Sequence, residues 1–144
     1  MQISRDFTIA VHTLLCIEYF SGKYKVTSDF IASSVGVNPV IIRRMLLKLK
    51  ECGMIEVKQG TGGAHLVKTP KDISFYDIYC AAGCDQKPIF NFHENPNPKC
   101  PVGKNIHTVL DSRLCGLQKS LEDTMKTMNL GEVIECLDSR LEKR

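Results

Sequence analysis

Apolar residues recur at three- and four-residue steps through Ile3, Phe7, Ala10, Val11, Leu14, Leu15 and Ile17. That spacing predicts an amphipathic helix over about Ser4 to Phe20, closed by Ser21-Gly22. Thr27 is placed to cap a short helix from Ser28 to Ser34, with Phe30 and Ile31 facing inward and Gly36 supplying the turn. Asn38 is the expected cap of the next helix, because Pro39 suits a first helical position, where a missing N–H costs nothing. Along that helix Ile42, Met45, Leu46, Leu49 and Cys52 share one side, while Arg43, Arg44, Lys48 and Lys50 fall elsewhere, and Gly53 ends it. The period then drops to two. Met54-Ile55-Glu56-Val57 and Ala64-His65-Leu66-Val67 read as paired strands, with Lys58-Gln59-Gly60-Thr61-Gly62-Gly63 as the hairpin tip. Thr69-Pro70-Lys71-Asp72 is a break, and Ser74 is placed to cap a helix from Phe75 to Ala82 with Asp77 near its positive end.

From Gly83 to Lys104 no period is visible and proline is frequent, which predicts a long loop of functional rather than packing origin. After it Ile106, Leu110, Leu114, Leu117, Leu121, Met125 and Met128 form a seam of coiled-coil width on one long helix. A short element from Leu130 to Leu137 follows, and Ser139 to Arg144 is expected to fray. The expected class is therefore mainly α with a small β-hairpin wing. Residues 1–83 would form a winged helix-turn-helix domain, 84–105 a sensor loop, 106–137 a dimerisation helix with a C-terminal element, and 138–144 a tail.

The chain has 144 residues, 43% of them hydrophobic, which is enough for one core. The net charge of +3 says little by itself, but basic residues outnumber acidic ones between Lys23 and Lys71, within the suspected helix-turn-helix. No basic-then-apolar leader and no apolar run of the ~20 residues that span a bilayer appear, so a cytoplasmic location and no membrane partner are expected. Seven cysteines are then expected as thiols rather than a disulfide framework. Cys16, Cys52, Cys115 and Cys136 lie on or beside apolar stripes and are expected in the core.

A helix entering the DNA major groove leads with its N-terminus, whose free N–H groups suit phosphate and whose first side chains reach base edges. Those side chains would be Asn38, Val40, Arg43 and Arg44, supported by Thr27 and Lys48, while Lys58, Gln59 and Thr61 of the wing would meet the backbone or minor groove. The expected partner is double-stranded DNA. No nucleophile elbow, phosphate loop or zinc-protease motif is present, so an enzyme is not expected.

Pro39, Leu46, Leu49, Cys52-Gly53-Met54-Ile55, Gly62-Gly63-Ala64-His65-Leu66, Pro70, Ile73 and Phe75-Tyr76-Asp77-Ile78 together form a pattern that resembles the Rrf-two family of bacterial winged-helix regulators. The likeness runs from Met1 to about Gly83 and more loosely to Leu137. It implies a homodimer joined by the long helix, binding a palindromic operator. Where that family's wing has Arg-Gly-x-x-Gly-Gly-Tyr, this chain has Lys58-Gln59-Gly60-Thr61-Gly62-Gly63-Ala64. Cluster-binding members carry three closely spaced cysteines before the long helix; this loop holds only Cys84 and Cys100, with His93 and His107 nearby. An iron–sulfur cluster is therefore disfavoured and no cofactor or metal is expected. Cys100, beside Lys99 and near Lys104, is the candidate thiol switch, and Cys84, His93 and His107 complete the candidate sensor set. The resulting expectation is a dimeric repressor that answers a redox or small-molecule signal. Two alternatives stay open: an iron–sulfur sensor, and an assembly module that uses the winged helix only as a scaffold.

Overall fold

The computed structural model describes residues 4–58, 60 and 63–143. Helix α1 spans Arg5–Phe20, with the Ser4 hydroxyl accepting from the Asp6 amide at 3.1 Å. Helix α2 spans Ser28–Val35, capped by Thr27 and ended by Gly36 at φ +81°. Helix α3 spans Pro39–Glu51, where Asn38 Oδ1 accepts from the Val40 amide at 2.9 Å. The α2 and α3 axes meet at 113°, within the range of a helix-turn-helix corner. A Schellman turn closes α3: the Met54 amide donates to the Leu49 carbonyl at 3.1 Å, with Gly53 at φ +72° supplying the left-handed residue.

Strands β1 (Ile55–Lys58) and β2 (Gly63–Leu66) form an antiparallel wing in which Ile55 faces Leu66 and Lys58 faces Gly63. Val26, in the link between α1 and α2, bridges to Gly63 in parallel and accepts from the Ala64 amide at 3.1 Å. Helix α4 (Phe75–Ala81) opens on a reciprocal capping box between Ser74 and Asp77. A 27-residue helix α5 (Pro101–Thr127) and a 13-residue helix α6 (Leu130–Glu142) complete the chain. The core is built from Leu14 and Ile17 of α1, Ile31 of α2, Ile42 and Leu49 of α3, Ile78 of α4 and Leu130 of α6, each fully buried.

Three expectations are corrected. The long helix starts at Pro101, not Ile106, because Pro101 takes the first helical position just as Pro39 does in α3. The loop then lies against the helix: at Gly103 a Cβ would come within 2.5 Å of the Asn97 carbonyl, so only glycine fits there. The C-terminal element does not fray after Leu137. It continues as helix to Glu142 because its first turn is anchored by an Asn129–Glu132 capping box and its Leu130 enters the core. Of the four cysteines expected in the core, only Cys16 is buried. Cys52 caps α3 and is turned outward by the Schellman geometry, while Cys115 and Cys136 are exposed.

Among the described residues no single helix is long and apolar enough to cross a membrane. In α5 only Met125 is buried; Val102, Val109 and Leu117 are more than half exposed. A helix about 40 Å long with apolar residues in water is costly unless a second surface covers them.

Candidate nucleic-acid interface

The outward face of α3 carries Val40, Arg43, Arg44 and Leu47, all exposed, at the three- and four-residue steps that align side chains on a helix. Asp29, near the start of α2, lies 3.6 Å from the Arg43 guanidinium. Between α3 and the wing runs a groove of about 430 Å³. Its apolar floor includes Leu46, Leu47 and Val57, and its cations are Lys25, Arg43, Lys50 and Lys58. On the other side of the link between α1 and α2, Lys23, Lys25 and Lys58 line a second, more polar depression. Lys23 is held there with its ammonium 4.0 Å above the Tyr19 ring. A continuous cationic surface thus runs from the recognition helix across the root of the wing.

Seven of the nine residues predicted for this surface are among the described residues. Val40, Arg43 and Arg44 are on the free face of α3 and Lys58 is in the groove. Thr27 and Asn38 use their side-chain oxygens to cap α2 and α3. Lys48 points elsewhere: its ammonium donates to the Ala82 carbonyl at the end of α4, at 3.4 Å. Gln59 and Thr61 lie outside the described residues. The sequence reading missed Lys23, Lys25 and Lys50. Helical geometry held the signal for Lys50, since seven residues bring it to within about 20° of Arg43, whereas five leave Lys48 about 140° away. Lys23 and Lys25 are near the groove only because Val26 pairs with Gly63, a contact between distant parts of the chain.

The candidate sensor residues fall into separate groups. The rings of His93 and His107 are 5.7 Å apart, Phe92 meets His107 edge-on, and His107 Nδ1 is 3.1 Å from Asp111 Oδ1. Cys100 is the N-cap residue of α5. Its sulfur makes no capping hydrogen bond, yet the backbone N–H of Gly103 first, and of Val102 second, hold its pKa below the ordinary thiol value. The start of the helix, rather than Lys99 and Lys104, is the cause. Cys84 instead packs against the core, and burial, with Asp6 adding to it, raises its pKa. Burial likewise raises that of Cys80. Among the described residues no three or more His, Cys, Asp or Glu side chains are placed to hold a metal ion. The set of Cys84, Cys100 and one histidine therefore does not fit an iron–sulfur cluster.

With this geometry in place, the likeness to known proteins is specific. A family model described as "Rrf2: Iron-dependent Transcriptional regulator" matches residues 3–136. The chain is 39% identical over 136 residues to YwnA of Bacillus subtilis (strain 168), named as an HTH-type transcriptional regulator, across 94% of this chain and 99% of that one. A crystal structure of a protein named as DNA-binding is 36% identical, with a TM-score of 0.68 over 90% of this chain and 98% of that one. IscR of T. potens shares the fold at 18% identity, with a TM-score of 0.70 over 95% of this chain and 88% of that one. A helix-turn-helix corner, a glycine-rooted wing and a cationic groove between them are thus joined to a match over nearly the whole length: the chain belongs to the Rrf2 family of transcriptional regulators.

Proposed function

We propose that the chain works as a homodimer that binds a palindromic operator in double-stranded DNA, in the cytoplasm, as a repressor. The observation that carries this reading is the groove between α3 and the wing, with Arg43 and Lys50 on one wall and Lys25 and Lys58 on the other. Phosphates suit the cations, and the exposed arginine face of α3 suits base edges. The exposed Val102, Val109 and Leu117 support pairing of two α5 helices. Such pairing fixes the distance between two recognition helices, and half-sites about 34–36 Å apart match one turn of DNA.

Cys100 is the proposed point of regulation. Its thiol lies at the N-terminus of the pairing helix, where oxidation adds a bulky polar group and shifts the helix start.

Salt-titrated binding to a mixed-sequence duplex tests the reading. Each phosphate contact contributes about 0.9 to the slope of log K against log salt. Lys25→Ala with Lys58→Ala removes two groove cations per protomer. The slope should fall by about 3.6 if both protomers engage one duplex and by about 1.8 if one does. No binding at low salt, or an unchanged slope in the double variant, refutes this interface.

A further inference from the structure

A cleft of about 280 Å³ separates α1 and α2 from the C-terminal half of α6, on a part of the molecule distinct from the DNA groove. We propose that this cleft is an effector site for a small neutral aromatic molecule carrying one hydroxyl group. The regulatory half of the proposal rests on the DNA-binding reading above; the binding half does not.

Size sets the first limit. An apolar cavity of about 150 Å³ holds benzene, so this cleft suits a substituted or two-ring molecule. Charge sets the second: none of the lining residues carries a carboxylate, an ammonium or a guanidinium. Charged side chains, Glu18, Lys23 and Asp138, line only the adjoining depression, so a neutral ligand suits the cleft itself. The interior is formed by Leu15, Tyr19 and Phe20 on one side and Leu137 and Leu141 on the other, so a ring finds aromatic and aliphatic walls.

The polar part of the wall accounts for the hydroxyl. Ser34 Oγ lies 3.0 Å from His12 Nε2 and accepts from the Cys16 thiol at 3.4 Å. A serine hydroxyl offers one donor and two acceptor positions. If Nε2 carries a proton, both acceptor positions are filled and the Ser34 proton is free. If it does not, the Ser34 proton goes to His12 and one acceptor position is free. In either tautomer a single position remains open, and a ligand hydroxyl, being both donor and acceptor, satisfies both cases.

The cleft also touches the elements that would have to move. Ser34 belongs to the first helix of the helix-turn-helix, and α6 follows α5 directly. The first turn of α6 is fixed, with Leu130 fully buried and its amide donating to the Ile73 carbonyl at 2.9 Å. At the other end Leu141 is 39% exposed. Occupancy therefore ties the C-terminal end of α6 to α2 and, through α6, acts on the angle between the pairing helix and the recognition helix. A ligand acts in this way only through its different affinity for the two arrangements.

The test uses the full chain, with 4-fluorophenol and fluorobenzene as probes read by fluorine NMR line broadening. The wild type should bind both at millimolar concentrations. Ser34→Ala should weaken 4-fluorophenol about fivefold and leave fluorobenzene unchanged, because only the hydroxyl loses a partner. Leu137→Trp, which fills the cleft from a partly exposed position, should abolish both, while circular dichroism shows that both variants remain folded. Absence of saturable 4-fluorophenol binding, or equal binding by wild type and Leu137→Trp, overturns the site. The duplex that the wild type selects from a randomised pool then tests coupling. Saturating 4-fluorophenol should change its affinity at least about fivefold in wild type and not in Leu137→Trp. Binding of the phenol with no change in duplex affinity overturns the regulatory role and leaves DNA binding standing. Failure to select any duplex sinks the DNA reading instead, and the fluorine titration still decides the cleft.

Discussion

Replacing Gly63 by alanine should damage the protein far more than replacing Gly53, although both residues have positive φ. At Gly63, φ +64°, a methyl group would lie 2.6 Å from the Val26 carbonyl oxygen and 2.8 Å from its nitrogen. At Gly53, φ +72°, it would meet nothing within 4 Å. Gly53→Ala therefore carries only left-handed backbone strain, about 1 kcal/mol once the reduced freedom of the unfolded chain is included. Gly63→Ala carries that strain and must also part β2 from the link between α1 and α2. Parting them breaks the bond from the Ala64 amide to the Val26 carbonyl, 3.1 Å long, at about 1–3 kcal/mol for buried groups left unpaired. It also wets part of Val26 and Ala64, each 2% exposed, for roughly 1 kcal/mol more. The total is about 3–5 kcal/mol, or roughly 10–15 °C in Tm for a domain of this size. Urea titration and thermal melts of the two variants measure the difference. If they differ by less than about 1 kcal/mol, the wing root is not fixed by its apposition to Val26. Weakened DNA binding in the folded fraction of Gly63→Ala, but not of Gly53→Ala, would further show that the root of the wing holds Lys25 and Lys58 together.

Two other outcomes follow from the geometry. Iodoacetamide should label Cys100 at lower pH than Cys80 or Cys84, because the α5 amides lower the first pKa while burial raises the other two; thiolate appears as pH rises through each value. Peptide mass spectrometry over a pH series reads the order, and labelling of Cys84 first contradicts it. Val109→Lys with Leu117→Lys places two charges on the exposed apolar line of α5 and should turn a dimer into a folded monomer in sedimentation at micromolar concentration. A wild type that is itself monomeric under those conditions would remove the homodimer from the proposal.

The caps and turns of the first three helices were legible because they are local. Thr27, Asn38, Pro39, Gly36 and Gly53 act within four residues of their own position, so their chemistry fixes the helix-turn-helix boundaries without knowledge of anything distant. The same logic, applied to Pro101, would have started α5 correctly; the proline-rich loop before it hid the signal. The glycine-rich stretch and the alternating residues on either side of it likewise announced the wing, although Lys58 and Gly63, expected in the hairpin tip, pair with each other at the ends of the strands.

Long-range packing decided the rest. Lys48 and Lys50 are two residues apart in sequence and chemically equal, yet one bonds to the end of α4 and the other lines the groove, because their directions differ around the helix and α4 occupies one of them. Cys52 continues the apolar spacing of α3, but the chain leaves the helix there and carries it out of the core. The extent of α6, the cleft behind it and the pairing of Val26 with Gly63 all join segments far apart in the chain. By itself the sequence determined which elements form and that a basic helix faces outward, since backbone hydrogen bonding and side-chain period are local. Which cations share a surface, and where an empty space remains, were set only when the elements packed, because those facts belong to distances between elements.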